Sequence, residues 1–325
     1  MRPDTSGSFA PSDLVLAATL PLLWVVARWV PERRWPGVLA LLAGFKPQRP
    51  AVRRVRRERI ARALDLDAAR ADRILDRFRA AHLEERLQVL KESSSAGWHP
   101  PIRLEGEERL AGARSGGRGV LLWVTNAVLA GLVAKKAFHA AGYRLHHLSR
   151  PSHGFSTTRF GVRWLNPIRT EVEDRYLAER LVLSAETTVT CMRRLRSLLE
   201  QGEVVSITVG DWARRSVELP CLGGRVRLAV GPVHLAAATA APILPVFMTR
   251  EDGGFRVRIE EPLPVPRWEP GATSGREASE SREASAIQRQ ARDPAVGATL
   301  EAYVRRLEDW LRESPELWNG WGSLA

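Results

Sequence analysis

The chain has 325 residues, 44% of them hydrophobic, and a formal net charge of +12. That content supports a sizeable packed core and excludes a disordered chain. Two cysteines, Cys191 and Cys221, exclude a disulfide framework and a cysteine metal site, and make a reducing compartment the expectation.

Residues 14–27 (LVLAATLPLLWVVA) are uncharged and mostly apolar. As a helix this run reaches ~21 Å, short of a ~30 Å hydrocarbon core. Extending it takes in Arg28, which can snorkel, and Pro21 would kink it. From Arg28 to Arg62 eleven Lys or Arg face two acids, Glu32 and Glu58, a local charge of +9. The apolar run followed by the basic block predicts an N-terminal membrane anchor, either a tilted span or an interfacial helix. No small-x-small cleavage site follows it. The positive-inside rule puts the chain after Arg28 in the cytoplasm, with the basic block against anionic headgroups. Eleven tryptophans against three tyrosines suit a membrane interface or a core.

Residues 52–90 read as two helices, the second capped by Asp67. Residues 102–110 read as a short strand and a turn at Gly106. Strands then alternate with helices: strand 119–125, helix 128–141, strand 143–148, a helix within 184–201, strand 204–209, a helix from Gly231, strand 243–250 and an edge strand at 255–259. Alternation of this kind predicts an α/β fold with a mostly parallel central sheet flanked by helices. Ligands of such sheets bind off the carboxyl ends of the strands. Residues 269–298 are rich in Ser, Ala, Glu and Arg without an apolar face, and read as a low-complexity insertion. Residues 300–313 form an amphipathic helix. The expected organisation is a tail, anchor and basic segment (1–51), an α/β domain (52–268), the insertion (269–298), and a helix with a Trp-rich tail that completes the domain (299–325).

Three stretches carry a resemblance. The first is GVLLWVTNAVLAG (119–131). The second is Ser149-Arg150-Pro151 after the next strand. The third is the run from Gly210, with its Pro220-Cys221-Leu222-Gly223 turn, its Gly231-Pro232 helix start and the strand after Ala241-Pro242. Together with the tail SPELWNGW, their order resembles the bacterial lipid A late acyltransferases, a branch of the lysophospholipid acyltransferases. The resemblance implies a glycerol-phosphate-acyltransferase-like fold at the bacterial inner membrane, with the main domain on its cytoplasmic face. It implies transfer of a fatty acyl group from an acyl carrier protein or coenzyme A thioester to a glycolipid or lysophospholipid hydroxyl, without a cofactor or metal.

The family keeps a His-x4-Asp/Glu pair at the first of these turns. Here Trp123 stands at the position of the His and Val128 at that of the acid. Trp accepts no proton, because its indole nitrogen is only a donor, and none of the seven histidines has an acid five residues later. A displaced base is sought among His146, His147 and His153, near the end of the strand before Arg150. The resemblance further implies substrate contacts from Asn126, Arg150 and Asp211; Arg225 could pair with Asp211 or with a phosphate. Against an active enzyme stands a catalytically inactive homologue that binds a lipid or acyl carrier, or scaffolds another enzyme. Nucleic acid is not an expected partner, since no recognition motif appears and the charge sits beside an apolar segment.

Overall fold

The structure is a computed structural model that describes residues 7–45, 50–210, 215–266 and 294–325. A seven-stranded sheet forms its centre. The strands are β1 (Ile102–Glu105), β2 (Val120–Val124), β3 (Leu145–Ser149), β4 (Glu179–Val182), β5 (Val204–Thr208), β8 (Ile243–Glu251) and β9 (Gly254–Ile259), in the spatial order β1-β9-β8-β2-β5-β3-β4. Only the β8–β9 pair is antiparallel. The α/β, mostly parallel architecture read from the sequence is therefore what the chain adopts. The strand at 255–259 is a correction. It is interior, because β1 pairs with its outer side, and the sheet's edges are β1 and β4. Between β5 and β8, β6 (Ser216–Cys221) and β7 (Gly224–Ala229) form a separate hairpin. Its two-residue turn has positive φ at both Leu222 (47°) and Gly223 (72°).

β2 sits at the middle of the sheet, with β8 on one side and β5 on the other. Its first four residues, VLLW, are all buried, as expected for a strand covered on both faces. Gly119 stands just before it because nothing larger fits: a Cβ there would lie 2.4 Å from the carbonyl oxygen of Glu203. α6 (Ala130–Ala140) follows β2, and α8 (Thr188–Glu200) packs beside β5. α9 (Gly231–Thr239) packs beside β2, and α10 (Pro294–Glu313) beside β8 and the hairpin. α10 starts earlier than the amphipathic pattern suggests, so the end of the 269–298 segment belongs to a helix.

α3 (Pro50–Leu64) and α4 (Ala68–Glu92) are the two predicted helices, and Asp67 caps α4 by accepting from the N–H of Arg70. α5 (Glu107–Arg114) begins directly after Gly106, where the sequence suggested only a turn. The stretch after β3 holds a π-helical turn (Gly161–Leu165) and α7 (Pro167–Asp174).

α1 (Pro11–Trp29) is the one helix among the described residues long and apolar enough to cross a membrane, by length and composition. It does not stand apart. Leu16, Leu20, Leu23 and Ala27 face the protein, and the helix packs on α4. The buried carboxylate of Asp13 accepts from the hydroxyls of Ser156 (2.6 Å) and Thr158 (2.7 Å), tying the start of α1 to the loop after β3. The opposite stripe, Leu14, Ala18, Leu22, Val25 and Trp29, is exposed. α2 (Trp35–Phe45) follows a turn carrying the exposed Arg33 and Arg34.

Candidate functional site

A cavity of about 430 Å³ opens at the carboxyl ends of β2, β3 and β5, where open parallel sheets bind ligands. Side chains alternate along each strand, so one face supplies most of the polar lining. Ser206 and Thr208 come from β5, and His147 and Ser149 from β3. The ends of β2 and β3 add Val124 to Ala127 and Arg150. α4 supplies His82, Glu85 and Arg86, spaced to share one helix face. The first turns of α6 supply Gly131 and Lys135, the loop after β3 supplies His153, and α7 supplies Arg169. Asn319 of the tail closes the rim, its amide donating to Oδ1 of Asn126 at 3.1 Å.

Neither Trp123 nor Val128 reaches this space. Trp123 is 1% exposed, on the opposite face of β2, with its ring 4.6 Å from that of Tyr303. Val128 is fully buried, and neither lines the cavity.

The three histidine candidates separate. His146 points to the other face, with its ring nitrogens 3.2 Å from Glu179 and 3.5 Å from Glu203, outside the cavity. His147 lines the cavity with Nδ1 at 2.9 Å from the hydroxyl of Ser206. Burial, reinforced by the charge of Lys135, pushes it well below the usual histidine value. His153 also lines the cavity, and its Nε2 lies 2.9 Å from Oε2 of Glu173. A carboxylate only accepts, so Nε2 carries the proton and Nδ1 keeps the lone pair. Among the described residues nothing hydrogen-bonds to that Nδ1. Burial lowers the His153 pKa despite the opposing charge of Glu173, which favours the neutral, proton-accepting ring.

Glu173 has no exposed surface. Besides His153 it takes Nε of Arg169 (2.8 Å), Nζ of Lys135 (2.8 Å) and Nη2 of Arg180 (3.1 Å). Burial alone would raise its pKa; His153, Lys135 and Arg169 outweigh that and hold it well below the ordinary carboxylate value. Arg169 spans two acids, adding a bidentate pair to Glu85 at 3.0 and 3.1 Å. Burial opposes its charge, but the two carboxylates raise its pKa further. Glu85 in turn accepts from the N–H of Leu129 at the start of α6 (3.1 Å). Gly131 is required here, since a Cβ would lie 2.5 Å from Nη2 of Arg169.

Of the expected substrate contacts, Asn126 and Arg150 line the cavity, both exposed at strand ends. Arg225 lies apart from it on β7, with its guanidinium 3.5 Å from Glu218. Asp211 lies outside the described residues, as does Arg214. The cysteines are not nucleophiles of this site. Cys191 is buried with its Sγ donating to the carbonyl of Val182, and burial pushes the Cys221 thiol up to about 12.

Sequence reasoning missed Glu173, Glu85, Arg169 and Lys135. The search for an acid was local in sequence, whereas Glu173 comes from a separate eight-residue helix. A buried-looking Glu in a segment with Arg four residues earlier was the only signal available. The sequence matches no protein-family model, and no curated protein matches it significantly.

Proposed function

We propose that this protein is a divergent, membrane-associated acyltransferase that transfers a fatty acyl group from an acyl carrier protein or coenzyme A thioester to a glycolipid or lysophospholipid hydroxyl. The observation that carries the reading is the His153–Glu173 pair, held in a cavity at the carboxyl ends of the parallel strands. Nδ1 of His153 takes the proton of the acceptor hydroxyl, and the oxygen forms a bond to the thioester carbonyl carbon. The carbon–sulfur bond then breaks, and the departing thiolate takes up the proton from His153. Glu173 orients the ring and stabilises its cationic form, the task that a buried acid performs for a catalytic histidine elsewhere. The family resemblance of the surrounding stretches supplies the reaction class, and the exposed apolar stripe of α1 with Arg28, Arg33 and Arg34 supports an anionic membrane surface as its setting.

A second reading is favoured by a specific observation: Glu173 is already matched by Arg169, Lys135 and Arg180, so the cluster can also serve purely to hold α7, α6 and β4 together. The protein would then be an inactive homologue that binds a lipid or an acyl carrier. The purified chain, given acyl carrier protein or coenzyme A thioester and a lysophospholipid or glycolipid acceptor, distinguishes the two. Acyl transfer that disappears in His153→Ala supports the first reading. Binding of lipid without turnover, or turnover untouched by that substitution, rejects it.

A further inference from the structure

We propose that Arg86 is the recognition site, within this cavity, for a phosphomonoester group on the ligand. Arg86 shares the cavity-lining face of α4 with His82 and Glu85. The other cations of the cluster are engaged: Arg169 by Glu85 and Glu173, Lys135 by Glu173, and Arg180 by Glu173 and Asp174. Among the described residues Arg86 has no hydrogen bond and no ion pair. Its sequence neighbour Glu85 is spent, with one oxygen accepting from Arg169 and the other from Arg169 and the N–H of Leu129. Burial pulls the Arg86 pKa below its ordinary value, against the attraction of Glu85.

Arg86 is half-buried, so its guanidinium has given up part of its water without gaining an oxyanion, a cost that is relieved when one arrives. The charges define what fits. The lining cations Arg86, Lys135, Arg150 and Arg169 stand against the two buried carboxylates, Glu85 and Glu173, an excess of two positive charges. A phosphomonoester carries close to two negative charges at neutral pH and presents the oxygen fork that a guanidinium binds bidentately. The volume, about 430 Å³, suits a headgroup such as a phosphorylated polyol. The proposal rests on the reading of this cavity as the acceptor site, but its test does not depend on acyl transfer.

Titration calorimetry of the purified full chain would use glycerol 3-phosphate, 1-hexanoyl-glycerol 3-phosphate and, as a neutral control, monohexanoylglycerol. The two phosphate probes are expected to bind, and Arg86→Gln to weaken them at least tenfold, with Arg86→Lys retaining part of the affinity. Tighter binding of the acylated phosphate assigns the site to a lipid headgroup, and equal binding assigns it to a soluble phosphate ester; either supports the role of Arg86. The melting temperature is a second reading. Without ligand, Arg86→Gln should melt no lower than the parent, because it removes a cation that lacks a partner. Phosphate probes should raise the melting temperature of the parent and not of the variant. The proposal is overturned by a variant that binds phosphate undiminished, by a lowered melting temperature of the unliganded variant, by equal binding of the neutral control, or by no phosphate binding at all. Phosphate binding that depends on Arg86 in a chain without acyl transfer would leave this proposal standing while the enzymatic reading fails.

Discussion

His153, in the loop after β3, and Glu173, on α7, stand twenty positions apart in the chain and meet at 2.9 Å, which brings an imidazole into the cavity with a fully buried acid behind it. Two substitutions separate chemistry from structure here. His153→Ala should lower kcat by about 10²–10⁴, the usual contribution of a general base. Glu173→Gln should lower both activity and stability, because it leaves the buried Lys135 without its carboxylate and removes one partner each from Arg169 and Arg180. Breaking such a buried network costs about 3–5 kcal/mol. Steady-state kinetics with parallel urea titrations would check both, and a His153→Ala variant as active as its parent ends the case for this base.

The rate should also depend on pH in a set direction. Only the neutral ring of His153 accepts a proton, and burial lowers its pKa below the ordinary histidine value. Activity should therefore be more than half-maximal at about pH 6.5 and have its acid limb below that. A pH–kcat profile whose acid limb lies above pH 7 would contradict that environment.

Stability should fall with acid in two stages. His82, His147 and His153 have folded pKa values below 6.5, so the folded protein binds fewer protons than the unfolded chain. Their contribution is complete above about pH 6.5 and is lost as pH falls toward the folded values. Glu85 and Glu173 have folded values below 4.5, so their contribution persists until the solution is more acidic than that. Melting temperatures measured between pH 8 and 3 should show both declines, and His147→Gln should flatten the first.

Trp123 is expected to be structural. Its ring is 1% exposed and packs on Tyr303, whose hydroxyl lies 3.0 Å from that of Thr125. Trp123→Ala should cost about 3–5 kcal/mol, as for other buried aromatic truncations. Trp123→His should be destabilised as well and should not create a new base, since the position faces away from the cavity. Chemical denaturation and the transfer assay together would test this; a stable, more active histidine variant would mean that the position does face the chemistry.

α1 should hold the protein on a membrane surface rather than cross it. One side is packed on α4 and pinned through Asp13, while Leu22 (54% exposed), Val25 (47%) and Trp29 (71%) line the other. Trp164, 63% exposed, stands on the same connection that Asp13 ties down. Leu22→Glu with Val25→Glu should reduce flotation with anionic vesicles while leaving the melting temperature nearly unchanged, because neither residue is in the core. Carbonate should release the parent protein. Retention after carbonate treatment would argue for a span.

The fold was largely legible because its signals are local. The VLLWV strand, the Gly231-Pro232 helix start and the capping Asp67 each declare themselves within a few residues. α7 was not legible. Its eight residues, PIRTEVED, offer two apolar positions and no cap, too little for periodicity to register. The interior position of β9 was equally hidden, because strand order is set by which partner arrives, and β1 comes from more than a hundred residues away.

By itself the sequence determined the α/β alternation and the apolar and basic N-terminal segment, since each follows from residue types at short spacing, and it put at Trp123 and Val128 two side chains that cannot accept a proton. Only the tertiary structure decided that His153 meets Glu173, that Arg169 bridges Glu173 to Glu85 across 84 residues of chain, and that Arg86 has no hydrogen bond or ion pair among the described residues. The physical reason is that a buried charge is defined by what surrounds it in space. Parallel-sheet topology brings distant elements to one rim, and no spacing along the chain records which side chains they leave facing each other there.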